Sequence, residues 1–66
     1  MKPVIVNGKR WTWDADGYLH GPDGERAVLS HGALLCSREN GWTSVELPVP
    51  VEVAKALIER EEGAAS

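Results

Sequence analysis

Lys9-Arg10-Trp11-Thr12-Trp13 is the stretch from which the architecture of this chain is inferred. It contains two of the three tryptophans, and turn signals flank it, Asn7-Gly8 before it and Ala15-Asp16-Gly17 after it. A short run of aromatic and β-branched residues between two such turns is typical of a strand that pairs with a neighbour on each side. In a chain this small, the sheet face that carries Trp11 and Trp13 is expected to hold the core.

Further turn signals that end in glycine divide the chain into short segments as far as residue 47. They are Pro22-Asp23-Gly24, Ser30-His31-Gly32 and Glu39-Asn40-Gly41. Because glycine readily takes the positive φ that closes a tight hairpin, these signals predict an antiparallel β-meander of five or six short strands. The strands are placed near residues 3–6, 9–14, 18–20, 25–29, 33–38 and 42–47.

The register of the meander follows if Asn7-Gly8 is a two-residue turn and the four later turns are three-residue loops. The predicted facing pairs are Val4 with Trp11, Trp13 with Leu19, Leu19 with Ala27, Ala27 with Leu35, and Leu35 with Val45, with Leu29, Ala33 and Leu47 on the same side. These residues would form one apolar face. A slip of one residue at any turn would exchange the two faces of the next strand.

A single helix is expected to follow the last strand. Pro48 and Pro50 cannot donate ladder hydrogen bonds, and proline suits the first position of a helix, which we place over residues ~50–62. Its apolar positions form one stripe that would cover the tryptophans, namely Val53, Ala54, Leu57 and Ile58. Gly63 predicts the helix end. The expected fold is α+β, with residues 1–62 forming one small domain and residues 63–66 a frayed tail.

Composition limits the classes of protein that the chain can belong to. Sixty-six residues make one domain near the lower limit for unaided folding. Cys36 is the only cysteine, which excludes an intramolecular disulfide and favours a reducing compartment. No apolar run is long enough for an export signal or a membrane span, so we expect a cytoplasmic protein. The net charge of −3 is not that of a basic nucleic-acid binder.

The sheet face opposite the tryptophans is the predicted partner-binding surface. By the same register it displays Val28, Leu34 and Cys36 together with the six candidate binding residues Arg10, Tyr18, His20, Arg26, Arg38 and Trp42. The solvent face of a sheet is usually polar, whereas tyrosine, tryptophan and arginine are enriched at binding hot spots. The alternative is that Trp42 folds over a sheet edge, or that strong coiling closes the sheet and buries part of this face.

These residues predict a small, non-enzymatic protein-binding module, such as an adaptor, an inhibitor or an assembly component. The second hypothesis is a single-stranded nucleic-acid-binding domain that uses the same face, since arginines beside aromatic side chains suit phosphates and bases. We expect no cofactor. The sequence names neither the partner nor the oligomeric state.

Two other groups of residues contain side chains that could bind a metal or act in catalysis. Thr12, Asp14, Asp16 and Asp23 have part of the spacing of a calcium loop, but the first acid and the bidentate glutamate are missing, so the aspartates are interpreted as turn residues. His20 and Cys36 would lie two strands apart, ~9.5 Å, which is too far for a catalytic hydrogen bond. His31 is assigned to a turn. We therefore expect neither a metal site nor a catalytic set.

Overall fold

The computed structural model describes residues 2–65, with side chains for residues 2–63. Six strands form one antiparallel meander in which each strand pairs with the next along the chain, and one helix follows. The elements are β1 (Val4–Val6), β2 (Lys9–Trp13), β3 (Leu19–His20), β4 (Glu25–Ser30), β5 (Ala33–Asn40), β6 (Thr43–Glu46) and α1 (Val51–Ala65). The predicted α+β fold is confirmed.

The first three turns have the predicted geometry. Asn7-Gly8 takes φ values of 50° and 78°, which is the type I′ pattern of a two-residue hairpin loop. The observed pairs are Val4 with Trp11, Trp13 with Leu19, and Leu19 with Ala27. The predicted register is therefore correct from β1 to β4.

The turn between β4 and β5 is one residue shorter than predicted. His31 and Gly32 have φ values of 51° and 80°, and they form a two-residue type I′ loop closed by the Ser30–Ala33 pair. Histidine is one of the few non-glycine residues that adopt positive φ with any frequency. The predicted three-residue loop is therefore wrong at this turn.

The shorter turn exchanges the two faces of β5, because successive strand residues point to opposite sides. Ala27 pairs with Cys36 rather than with Leu35. The residues predicted for the partner-binding face of this strand, Leu34, Cys36 and Arg38, lie on the helix side instead. Ala33 and Leu35, predicted for the core, lie on the opposite face.

The last hairpin also differs from the prediction. Its loop is Gly41-Trp42, closed by the Asn40–Thr43 pair, and only Gly41 has a positive φ, 69°, as in a type II′ turn. Val45 consequently pairs with Arg38. Since β5 is inverted as well, the two errors compensate, and Val45 and Leu47 still face the helix side as predicted.

The core lies between the sheet and α1, which packs mainly against β1 and β4. Its buried members are Val6, Trp11, Leu19, Ala27, Cys36, Val53 and Leu57. The expectation that Trp11 lies in the core is confirmed, because only 4% of the residue is exposed. Trp13 is half-buried at the margin, where its Nε1–H donates to the Lys2 carbonyl at 2.9 Å and the Arg60 guanidinium carbon lies 5.9 Å from the ring centroid.

Two details of the helix differ from the prediction. Ile58 is 41% exposed and lies outside the buried stripe, because the face that meets the sheet is centred on Val53 and Leu57. The helix also continues past Gly63 to Ala65, since Gly63 does not take the positive φ of a glycine cap. Fraying of residues 63–66 remains a prediction, and Ser66 lies outside the described residues.

Within residues 2–65, no helix is long and apolar enough to cross a membrane.

Candidate docking face

The sheet face that points away from α1, called the outer face below, carries two adjacent rows of side chains. A polar row crosses β2 to β6 through the pairs that join Thr12, His20, Arg26, Ser37 and Glu46 in turn. An apolar row lies beside it: Val28 pairs with Leu35, and the β3–β4 register brings Tyr18 opposite Val28. Leu35, which occupies this row in place of the predicted Leu34, is 49% exposed.

Tyr18, His20 and Arg26 form a stacked group where the two rows meet. The rings of Tyr18 and His20 are nearly parallel, with an interplanar angle of 20° and centroids 6.5 Å apart. The guanidinium carbon of Arg26 lies 5.8 Å from the Tyr18 ring centroid, within cation–π range. The Tyr18 ring therefore holds the Arg26 fork in place while leaving its N–H donors accessible.

Asp14 orients this group from the turn between β2 and β3. Its Oδ2 accepts a hydrogen bond from His20 Nε2 at 2.6 Å, and its Oδ1 accepts from the backbone N–H groups of Asp16 at 2.8 Å and Tyr18 at 3.0 Å. The bond from His20, followed by that from the Tyr18 N–H, lowers the pKa of Asp14 below its ordinary value. One carboxylate thus closes the turn and holds the imidazole.

Arg26 and His20 line two shallow grooves that meet at these side chains. The larger, about 430 Å³, is bordered by Asp14, Asp16 and Tyr18, and the smaller, about 190 Å³, by Gly24, Ser37 and Glu39. Within the described chain, the Arg26 side chain makes no hydrogen bond or ion pair. Carboxylates therefore flank an unpaired guanidinium on both sides.

The six predicted binding residues are divided among three places. Tyr18, His20 and Arg26 come together, and Arg10 lies on the same face in β2, exposed and opposite Ile5 of β1. Arg38 lies on the helix side of β5, so its predicted facing is wrong. Trp42 is also misplaced by the prediction: it is a loop residue at the tip of the last hairpin and is 100% exposed, rather than lying on the sheet face or over an edge.

Besides Ala33 and Leu35, which were predicted for the core, sequence reasoning missed three polar members of the outer face. Asp14 was interpreted as a turn residue, a role that its bonds to Asp16 and Tyr18 confirm, but its contact with His20 was not foreseen. Ser37 and Glu39 were absent from the predicted face because the face assignment of β5 was inverted. The signal for Asp14 was present in the register, since a three-residue loop brings Asp14 beside Tyr18 and on the face of His20.

The remaining reactive side chains lie apart from one another. Cys36 is buried on the helix side, and burial, with a smaller contribution from the Glu25 charge, raises the pKa of its thiol. It therefore cannot meet His20 on the outer face. Asp23 forms an exposed ion pair with Lys9 at 3.2 Å. Across the residues that the structure describes, no three His, Cys, Asp or Glu side chains converge in a way that could hold a metal ion.

Comparisons of the chain with protein-family models, with curated proteins and with solved structures find no match. The function is therefore inferred from the chemistry of the outer face. An arginine with unpaired donors can bind a carboxylate through two parallel hydrogen bonds, while the neighbouring apolar row can receive an aliphatic or aromatic side chain. Together they can bind a peptide segment that carries both kinds of group.

Proposed function

We propose that this chain is a non-enzymatic protein-binding module, acting as an adaptor, an inhibitor or an assembly component, and that it docks on another protein through its outer face. The observation that carries the proposal is the unpaired Arg26 guanidinium, held over Tyr18 beside the exposed Leu35. The single reduced Cys36 supports a cytoplasmic location, because thiols persist in reducing compartments.

The energetic basis is the low cost of ordering this surface. A free arginine loses side-chain entropy when it binds, but Arg26 is already restricted by the Tyr18 ring. His20 is likewise held by Asp14. A partner carboxylate would gain charge-assisted hydrogen bonds from Arg26, and burial of Leu35 and Val28 would add apolar contact area.

The charges of the outer face favour a protein over a nucleic acid. Asp16 and Asp14 border Arg26 on one side and Glu39 on the other, and Glu46 ends the polar row. The phosphates of a nucleic acid carry negative charge at regular intervals, and these carboxylates would repel them. A peptide can instead place one acidic side chain at Arg26 and basic or polar side chains next to it. Among the described residues of this face, only Tyr18 and His20 have aromatic rings on which a base could stack.

Affinity capture from the native host, with matched bait variants, tests the proposal. Wild-type protein and Lys55→Ala, a substitution on the exposed surface of α1, should retain the same protein partner after nuclease treatment. Arg26→Ala and Leu35→Asp should lose it. With the purified partner, Arg26→Ala should weaken binding by about 30-fold, which corresponds to the ~2 kcal/mol of a hot-spot residue.

Two results would contradict the proposal. Equal capture of the partner by all four baits would show that docking occurs elsewhere. Recovery of RNA or DNA instead, with an affinity that falls by orders of magnitude between low and moderate salt, would favour the nucleic-acid hypothesis.

A further inference from the structure

The free edge of β6 is a second surface, and its geometry does not depend on the outer-face proposal. β6 is the last strand of the open six-stranded sheet, and all four of its residues are exposed. The opposite edge strand, β1, packs against α1. β5 is longer than β4 and continues beyond it, so the hairpin tip that carries Trp42 extends past the rest of the sheet.

The direction of the β6 backbone groups follows from the observed hydrogen bonds. The Leu47 N–H donates to the Cys36 carbonyl at 2.8 Å, which makes this a hydrogen-bonded pair. Because hydrogen-bonded and non-hydrogen-bonded pairs alternate in an antiparallel ladder, the N–H and C=O groups of Val45 also point to β5. Those of Ser44 and Glu46 therefore point to the free edge.

We propose that β6 pairs antiparallel with β6 of a second copy of this chain, so that two sheets join into one across a two-fold axis between the two Val45 residues. In this register Ser44 lies opposite Glu46 of the second copy, and the outward groups of both residues form four backbone hydrogen bonds. The two Val45 residues form the non-hydrogen-bonded pair between them, where side chains approach most closely.

Side-chain complementarity favours this register and favours a second copy of the chain as the partner of β6. The two Glu46 carboxylates each face a serine rather than one another, so no like charges are directly opposed. Continuing the pairing brings Trp42, which is fully exposed in the single chain, beside Pro48 of the second copy. Pro48 has no N–H to leave unpaired at this position. A two-fold axis makes every favourable contact occur twice.

The size of the contact predicts a weak dimer. Each Trp42 can bury up to ~250 Å², and the two short strands add less than the core of a large interface would. The contact therefore belongs to the small interfaces, under ~1,200 Å² in total, whose complexes are weak, so the dimer should form with rising protein concentration.

Sedimentation equilibrium from about 10 µM to about 1 mM, a range that brackets the weak affinities of small interfaces, tests the proposal. The average mass of the wild-type protein should rise towards twice the 7.2 kDa of one chain. Ser44→Pro removes only an N–H that points to the free edge, so it should remain monomeric and folded, whereas Ser44→Ala should dimerise like the wild type.

A second pair of variants tests the register without disturbing the backbone. Val45→Glu places an acid beside Arg38 within the chain, which suits folding, but opposes two like charges across the axis. It should be monomeric alone, and mixing it with Val45→Lys should restore a 1:1 dimer. A wild-type protein that stays monomeric at ~1 mM overturns the proposal, since even a weak pairing would be populated there. Val45→Glu dimerising like the wild type overturns it as well, by showing that another surface or register is used.

Discussion

The three tryptophans provide a graded test of the fold, because their exposures differ widely. Trp11 is 4% exposed, Trp13 is half-buried and Trp42 is 100% exposed. Truncation of a buried tryptophan to alanine costs about 3–5 kcal/mol through lost transfer free energy and the cavity left behind. At ~0.05–0.15 kcal/mol per residue, a domain of this size has only ~3–10 kcal/mol of stability in total. Trp11→Ala is therefore expected to be largely unfolded at 25 °C or to melt far below the wild type.

Trp13→Ala and Trp42→Ala provide the comparison for Trp11→Ala. Trp13→Ala loses marginal packing, the hydrogen bond to the Lys2 carbonyl and the contact with Arg60, for which we expect ~1–3 kcal/mol. At about 4–8 °C per kcal/mol for a small domain, its midpoint should fall by roughly 5–20 °C. Trp42→Ala should leave the midpoint of dilute protein unchanged.

Thermal unfolding followed by far-UV circular dichroism at ~10 µM, the low end of the sedimentation range, where a weak β6 dimer is least populated, measures all three midpoints. The expected order of destabilisation is Trp11, then Trp13, then Trp42. A Trp11→Ala midpoint within a few degrees of the wild type would refute the assigned facing of β2. A large loss in Trp42→Ala would show that the hairpin tip packs on the domain.

Three further substitutions or reagents test individual contacts. Asp14→Asn should destabilise the protein more at pH 6 than at pH 3. The lowered pKa of Asp14 gives stability that is present above the unfolded-state pKa and is lost as pH falls through the folded-state pKa. Urea unfolding at both pH values checks this, and equal losses of stability would contradict it. Cys36 should react with a thiol reagent at pH 8 at least ~10²-fold more slowly in the native protein than in guanidinium, since burial raises the pKa of its thiol and blocks access of the reagent. Equally fast labelling of the native and the unfolded protein would mean that the core is open. Gly21→Ala should destabilise the protein by ~1–3 kcal/mol, because the added Cβ would lie 2.5 Å from Glu25 Oε1 and 2.8 Å from Trp11 Cε2. Gly32→Ala, where nothing lies within 4 Å but φ is 80°, is the comparison that isolates backbone strain. An unchanged Gly21→Ala midpoint would show that both side chains move aside.

The sequence predicted the strand order and the register as far as β4 because the local signals there have one solution. Asn7-Gly8 favours a two-residue type I′ loop. The two Asp-Gly turns that follow fit either length, but only three-residue loops place Trp13, Leu19 and Ala27 on one face. Ser30-His31-Gly32 fits both lengths, and the apolar pattern beyond it does not decide between them. Leu34 and Leu35 are adjacent and identical, so each register places a leucine on each face. The positive φ of His31 and the Ser30–Ala33 pair identify the shorter loop in the structure.

Part of the candidate site was predictable for the same reason. Tyr18, His20 and Arg26 lie before the ambiguous turn, and their shared face follows from the correct register. The bond between Asp14 and His20 depends on side-chain rotamers at the loop, which residue spacing does not determine. The position of Trp42 was predicted wrongly because the local sequence fits both a strand that begins at residue 42 and a loop that ends there.

The inversion of β5 also changes the charge of the outer face. With the predicted facing, Arg38 and Cys36 would join Arg10 and Arg26, and the outer face would carry three arginines beside its aromatic side chains, an arrangement suited to phosphates. The observed facing replaces Cys36 and Arg38 with Ser37 and Glu39, so a carboxylate lies in the groove beside Arg26 where a guanidinium was expected. Replacing one positive charge with one negative charge changes the local sum by two charges. Since sequence-independent nucleic-acid binding depends on this sum, the one-residue difference in the turn supports our proposal of a mixed-charge protein segment as the partner of the outer face.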